Sequence, residues 1–101
     1  MPNILVGTIS ASAPTNAQAG VTSSTLVAQN LDRVGLVIVN VSISTVYLGF
    51  QGQTAVLNSG VVLTPNGGTW TMDDYTFNNE AMTGISHATG SIVSIQEFVR
   101  R

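Results

Sequence analysis

The run Val34-Gly-Leu-Val-Ile-Val-Asn-Val-Ser42 determines the fold class, because it is apolar on both of its alternating faces. Leu36 and Ile38 fall on one face of an extended chain, and the valines from Val37 to Val41 fall on the other. β-Branched residues dominate the run, and they favour strands over helices. A strand that is apolar on both faces is typical of a sheet whose two sides are covered. We therefore predict that this run is the central, buried strand.

Shorter β-type runs lie on both sides of this strand, and turn residues separate them. They span residues 3–10, 25–30, 45–50, 55–57, 60–64, 69–72, 75–77, 81–87 and 91–98. The run 45–50 is predicted to form a hairpin with the central strand. In the turn Pro65-Asn-Gly-Gly68 the glycines can take positive φ. No segment repeats apolar residues at helical spacing, so little helix is expected.

Strands that recur about every 8 to 12 residues with turns between them predict a sandwich or a jelly roll. A chain of 101 residues has the size of one domain. The predicted fold is therefore all-β: a single-domain antiparallel β-sandwich, jelly-roll-like. An immunoglobulin-like sandwich is the alternative, because the sequence does not fix the strand order.

Residues 1–24 differ in composition from the rest of the chain. The strand predicted at residues 3–10 has four apolar side chains, which are Ile4, Leu5, Val6 and Ile9. Residues 11–24 are almost all Ala, Ser, Thr, Gln, Asn and Gly, which bury little surface, and we interpret them as a flexible arm. Residues 25–101 then form the sandwich. Our hypothesis is that the N-terminal strand adds to the sheet of a neighbouring subunit or to another protein surface.

The charge content is unusually low. Only 8% of residues are charged and lysine is absent, whereas soluble domains average about 25% charged residues. Strands without lysine lack a common protection against edge-to-edge pairing. A neutral polar surface is also cheaper to remove from water than a charged one. This composition predicts a surface that other protein chains cover, and hence an oligomer.

The same composition argues against other classes of partner. A net charge of −2 with three arginines supplies no basic patch for nucleic acid. No apolar run approaches the roughly 18 to 20 residues that span a bilayer, so no membrane partner is expected. The start Met1-Pro2-Asn3 lacks the basic flank of a secretory signal, which predicts synthesis in a cytoplasm. Without cysteine, disulfides and thiolate metal sites are excluded.

No combination of residues predicts catalysis. His87 is the sole histidine, and no Gly-x-Ser-x-Gly motif accompanies it. Asp73, Asp74 and Glu80 would supply oxygen ligands for Ca²⁺ if their corner folded back on itself. We favour a solvated turn there, because Asx side chains bond nearby main-chain amides. The chain is therefore predicted to be no enzyme and to use neither a cofactor nor a metal.

Four aromatic residues allow one further alternative. They are Tyr47, Phe50, Trp70 and Tyr75. Lined up on one outer face, such rings would stack on sugars and make a carbohydrate-binding sandwich. A core still has to be built from only six aromatic residues, so packing is the preferred interpretation.

Four sequence motifs resemble those of a known class of virion proteins. They are Arg33-x-x-Leu36-x-Ile38-x-Asn40, Val46-Tyr-Leu-Gly49, Gly60-x-x-Leu63-x-Pro65 and Val93-x-Ile95-x-Glu97. Together they resemble small tailed-bacteriophage virion proteins of the head decoration, or cement, class, over residues 25–98. The resemblance marks the scaffold and includes no catalytic residue.

The resemblance implies a subunit that binds the outside of the phage head and stabilises it by added contacts. Its partners would be the major capsid protein and further copies of itself, often as a trimer. Its location would be the capsid surface, after synthesis in the host cytoplasm. A fibre, spike or tail accessory module is the alternative virion protein. Arg33 is predicted to form a structural ion pair with the adjacent Asp32 at the strand entrance.

Overall fold

The structure is a computed structural model, and it describes residues 9–73 and 76–100. Its strands are β1 (Ile9–Ala11), β2 (Thr15–Ala19), β3 (Ser24–Val27), β4 (Arg33–Asn40), β5 (Val46–Gly49), β6 (Val61–Leu63), β7 (Thr69–Thr71), β8 (Met82–Ser86) and β9 (Ser91–Arg100). These residues form no helix, and so none that is long and apolar enough to cross a membrane.

The strands form two antiparallel sheets. The first sheet has the order β1/β2, β9, β4, β7, and the second has the order β3, β8, β5, β6. β1 and β2 lie end to end along one edge of β9, since Arg100 pairs with Ile9 and Ile95 pairs with Thr15. β4 occupies the other side of β9. Because β1 and β2 share one edge position, each sheet is four strands wide.

The pairing shows how the chain is wound. β2 pairs with β9, β3 with β8, β4 with β7, and β5 with β6. The chain is thus a long antiparallel ribbon, folded at the β5–β6 connection and wrapped so that most consecutive strands lie in opposite sheets. This is a jelly roll. The predicted all-β sandwich is confirmed, and the strand order selects the jelly roll over the immunoglobulin-like alternative.

The predicted hairpin between the central strand and the run 45–50 is wrong. β4 lies in the first sheet and β5 in the second, and residues 41–45 cross between them. The buried side chain of Asn40 supports the crossing: its Nδ2 donates to the carbonyls of Ser44 at 2.7 Å and Leu63 at 2.9 Å, and its Oδ1 accepts from Ser42 N at 2.9 Å. In the crossing, main-chain groups of Ser42 and Ser44 have no hairpin ladder to bond to, and the Asn40 side chain bonds to them instead.

The core fills the space between the sheets. Its buried members are Ala19, Leu26, Val27, Leu36, Ile38, Val46, Leu48, Leu63, Trp70, Met82, Val93 and Ile95. Trp70 packs edge-on against Phe50, with ring centroids 5.1 Å apart. Gly84 on β8 leaves room for the side chain of Leu26 on the neighbouring strand β3, because a Cβ at residue 84 would overlap the Cδ1 of that leucine.

The predicted flexible arm is wrong for much of its length. Residues 15–19 form β2, which pairs with β9 over five residues, and Ala19 is fully buried. Small and amide side chains suffice here, because an edge strand satisfies its main chain through the ladder and needs to bury little side-chain surface. Residue 24 is therefore no boundary between an arm and a sandwich. The other predicted strands agree closely with β3 to β9, apart from 55–57, which belongs to a loop, and 75–77, whose described residues Thr76 and Phe77 are not in a strand.

Candidate functional site

The outer surface of the first sheet is the most unusual surface of the described chain. Strand alternation sends Leu36, Ile38, Val93 and Ile95 into the core, so their neighbours in sequence face outward. We call this surface the neutral face. Its residues are Asn16, Gln18, Val37, Val39, Val41, Thr69, Thr71, Ile92, Ser94, Gln96 and Phe98.

The neutral face has an apolar centre and hydrogen-bonding margins. Val39 lies in the middle, paired with Ser94 on β9 and with Thr69 on β7. Val41 lies beside Ile92 and donates its amide to that residue's carbonyl at 3.2 Å. β7 contributes threonines to one margin, and β2 contributes Asn and Gln to the other. The result is a stripe of valines and isoleucine between two uncharged polar margins.

The predicted burial of β4 on both faces is wrong within this chain. Val41 is 52% exposed and Ile92 is 38% exposed. Val37 and Val39 are only half-buried, and neither belongs to a buried apolar cluster. A two-sheet sandwich has a single core, so it can cover only one side of each sheet. The second apolar side of β4 is left open to contact from outside.

The second sheet does not leave its outer surface open. There Tyr47 and Ile85 are buried beneath Ala55 and the half-buried Leu57, which come from the long connection after β5. The connection is held down by Thr83, whose Oγ1 donates to the carbonyl of Gln53 at 2.6 Å. The Ala55 amide also donates to the Oγ of Ser23 at 2.9 Å. The connection therefore covers the middle of this outer face and leaves its margins at Thr25 and Val62 exposed, whereas no described connection forms a buried cluster on the neutral face.

Charged groups are kept away from the neutral face. Arg33 and Glu97 point inward, and their Nε and Oε2 atoms form an ion pair at 2.8 Å. The predicted partner of Arg33 was Asp32, which is exposed and does not bond to it. The reason is an irregularity in the ladder: the register shifts between Phe98 and Val99, so Arg33 pairs with Val99 and its side chain reaches Glu97 on the inner surface. Between Ile92 and Phe98 the outward positions of β9 carry no charge.

One end of the neutral face is flattened by Gly35. This glycine pairs with Phe98 across the ladder. A Cβ on Gly35 would lie 3.3 Å from two carbons of the phenylalanine side chain, so the ring lies against the glycine. An aromatic side chain over a cross-strand glycine covers otherwise exposed main chain. Phe98 thus extends the apolar stripe toward the end of the sheet.

Of the residues predicted as an assembly strand, Ile9 lies within the described chain. Ile9 begins β1, is 62% exposed and pairs with Arg100. Ile4, Leu5 and Val6 lie outside the described residues. The described part of the predicted strand is therefore β1, which pairs with the C-terminal end of β9.

The acidic corner folds as a local turn where it is described. The Oδ1 of Asp73 accepts from the amide of Thr76 at 2.9 Å and from its hydroxyl at 3.0 Å. Asp74 lies outside the described residues. Glu80 turns its carbonyl to Arg33 instead, at 2.8 Å. No group of three metal-ligating side chains occurs within residues 9–73 and 76–100.

His87 and the aromatic residues form no recognisable site. His87 is exposed and lies edge-on to Tyr47, with its Nε2 atom 3.4 Å from Asn58 Oδ1. The proposed sugar platform is not assembled, because Trp70 lies in the core while Tyr47 is on the outer side of the other sheet. Tyr75 is not described.

An open cleft of about 660 Å³ near Asp32 and Arg100 lies at one end of the sandwich.

Comparison with known proteins gives a match among solved structures. No family model and no curated protein matches this chain. Among solved structures, a chain from Bacillus endospore appendages, described as a novel family of disulfide-linked pili, has a TM-score of 0.53. The match covers 94% of this chain and 88% of that chain at 14% sequence identity. At this identity the comparison shows a shared fold.

Proposed function

We propose that this chain is a structural, non-enzymatic subunit of a larger protein assembly and that it contacts its neighbours through the neutral face. The observation that carries the proposal is the uncovered apolar stripe centred on Val39. Contiguous apolar surface of this kind marks sites of protein contact. The centres of protein interfaces are likewise depleted in charge, as the neutral face is.

The finer proposal is a decoration protein on the head of a tailed bacteriophage, with the major capsid protein as partner. Its support is the sequence resemblance. The residues that carry this resemblance are mostly interior ones, including Arg33, Leu36, Ile38 and Asn40, each no more than 1% exposed. They specify a jelly-roll scaffold, a fold that many viral capsid proteins use. The contact surface is then supplied by the outward residues between them.

A fibre subunit is the second candidate, since the solved structure with the shared fold comes from pili. Those pili are described as disulfide-linked, whereas this sequence has no cysteine. A fibre built from this chain would therefore be held by non-covalent contacts. Its subunits would contact each other through the neutral face or through the sheet edges.

The test compares two valines of similar exposure on opposite faces. Val41 is 52% exposed on the neutral face, and Val62 is 48% exposed on the outer side of the second sheet. Wild type, Val41→Asp and Val62→Asp are each centrifuged with purified tailed-phage heads stripped of outer proteins, and also alone. We expect wild type and Val62→Asp to sediment with the heads and Val41→Asp to stay in solution.

Two results would count against the proposal. Equal sedimentation of the two variants would remove the neutral face from the contact. A wild-type chain that neither sediments with heads nor associates with itself would reject the assembly role altogether. Long filaments in the sample without heads would instead favour the fibre candidate.

A further inference from the structure

We infer that the occupant of the neutral face is the neutral face of a second copy of this chain, packed sheet against sheet about a two-fold axis. The inference rests on the proposed assembly function: the pair formed through the two neutral faces is the unit that joins the larger assembly, so Val41→Asp would prevent assembly by preventing pairing. Its starting point is that the neutral face is complementary to itself.

Self-complementarity follows from the order of the strands. The apolar strands β9 and β4 are central, the threonines of β7 form one margin, and Asn16 and Gln18 of β2 form the other. A two-fold axis that runs roughly along the strands places the centre of one copy over the centre of the other. It also places each threonine margin over an amide margin. Hydroxyl and amide groups can both donate and accept, so these margins can form hydrogen bonds in the contact.

Charge favours a second copy over a charged partner. A charged group buried against the neutral face would lose its hydration and find no opposite charge there. The same face of another copy brings only valine, isoleucine, phenylalanine, hydroxyl and amide side chains. Two twisted sheets pack face to face at about 10 Å with their strands roughly 30° apart, which is the arrangement already used inside this sandwich fold.

The size of the face sets the expected strength. Four strands about 4.8 Å apart, and about seven residues at 3.3 Å each, give a flat area of roughly 450 Å² per copy. Two copies together bury roughly 900 Å², close to the lower limit of about 1,000 Å² for specific contacts. The contact should therefore be a dimer that dissociates on dilution. A two-fold contact also predicts an even number of copies, so the predicted trimer could occur only as a pair of trimers.

The experiment uses opposite charges at the centre of the face. Ser94 is half-buried, polar and paired with Val39, so Ser94→Asp and Ser94→Arg change the face without removing apolar packing. The matched controls are Thr25→Asp and Thr25→Arg, at an exposed strand position paired with Thr83 in the second sheet. Mass is measured by light scattering over a dilution series, and circular dichroism checks that each variant is folded.

In a two-fold contact each charged variant repels itself, whereas the two variants attract each other. We expect wild type and both Thr25 variants to approach twice the chain mass of 10.5 kDa, or an even multiple of it. Each Ser94 variant should stay monomeric, and an equimolar mixture should regain the wild-type mass.

Failure of this inference is distinguishable from failure of the proposed function. A mixture that does not regain mass, or Ser94 variants that associate as wild type does, would overturn the second copy as occupant. If wild type is monomeric but still sediments with phage heads through Val41, the assembly role stands and this inference falls. If it does neither, both fall.

Discussion

The guanidinium group of Arg33 lies in the interior and binds groups from three separate segments. It pairs with Glu97 on β9 and donates to the carbonyls of Ala28 and Glu80 at 2.7 and 2.8 Å. Its side chain is fully buried, while that of Glu97 is 21% exposed. Removing one partner of a buried pair leaves the other uncompensated, so this arginine should matter far more than an exposed one.

Arg33→Met should lower the free energy of unfolding by about 3 to 5 kcal/mol, because Glu97 and the carbonyl groups lose their donor. Arg100→Met, at an exposed position, should change it by no more than about 0.5 kcal/mol. Urea unfolding followed by circular dichroism measures both. Equal losses would contradict the structural role of the Arg33 side chain.

Gly84→Ala should cost about 1 to 3 kcal/mol, because the new methyl group would overlap Leu26 in the core. Gly20→Ala is the control, since nothing lies within 4 Å of its added Cβ. In a Leu26→Ala background the cost of Gly84→Ala should shrink, which a double-mutant cycle measures. A cost that is the same in both backgrounds would refute the contact.

Sequence reasoning identified Arg33 as a structural residue but assigned the wrong partner. Asp32 is adjacent in sequence, but it lies in the turn before β4 and is exposed. Glu97 is 64 residues away and meets Arg33 only through the β4–β9 register. No local pattern contains that register, so only the fold could supply the partner.

Among the strands, β1 and β2 at the edge of the first sheet differ most from the prediction, because a flexible arm was expected over residues 11–24. β1 and β2 consist largely of Ala, Ser, Thr, Asn and Gln, a composition that also describes loops. What makes them strands is the long β9, which offers a free edge over ten residues. The apolar runs of β4, β5, β8 and β9 were predictable because their side chains carry the pattern. β2 was not, because its stability comes from the main chain.

Two deletions test this edge. Removing residues 1–8 is the control, because it leaves the ladders of β1 and β2 intact. Removing residues 1–19 deletes the ladders of β1 and β2 and takes Ala19 from the core. At about 1 kcal/mol net per hydrogen bond, the loss should reach several kcal/mol, with aggregation through the exposed β9 edge. Similar midpoints for the two deletions would contradict the strand assignment.

The whole molecule is asymmetric in how its two sheets meet their surroundings. The second sheet is covered by the connection after β5, and the first presents the neutral face. The sequence did signal this surface, since β4 is apolar on both sides. It could not show which side would be open, because that depends on where the connections run. The strand that determines the fold therefore also supplies the centre of the neutral face.

Thiol labelling measures directly whether other protein covers the neutral face. The chain has no cysteine, so Ser94→Cys and Thr25→Cys each introduce a single reactive group, one on each outer face. Reaction with a thiol reagent is followed at low and high protein concentration. Our account predicts that labelling of Ser94→Cys slows severalfold at high concentration while Thr25→Cys is unchanged. Equal rates at every concentration for both variants would contradict it.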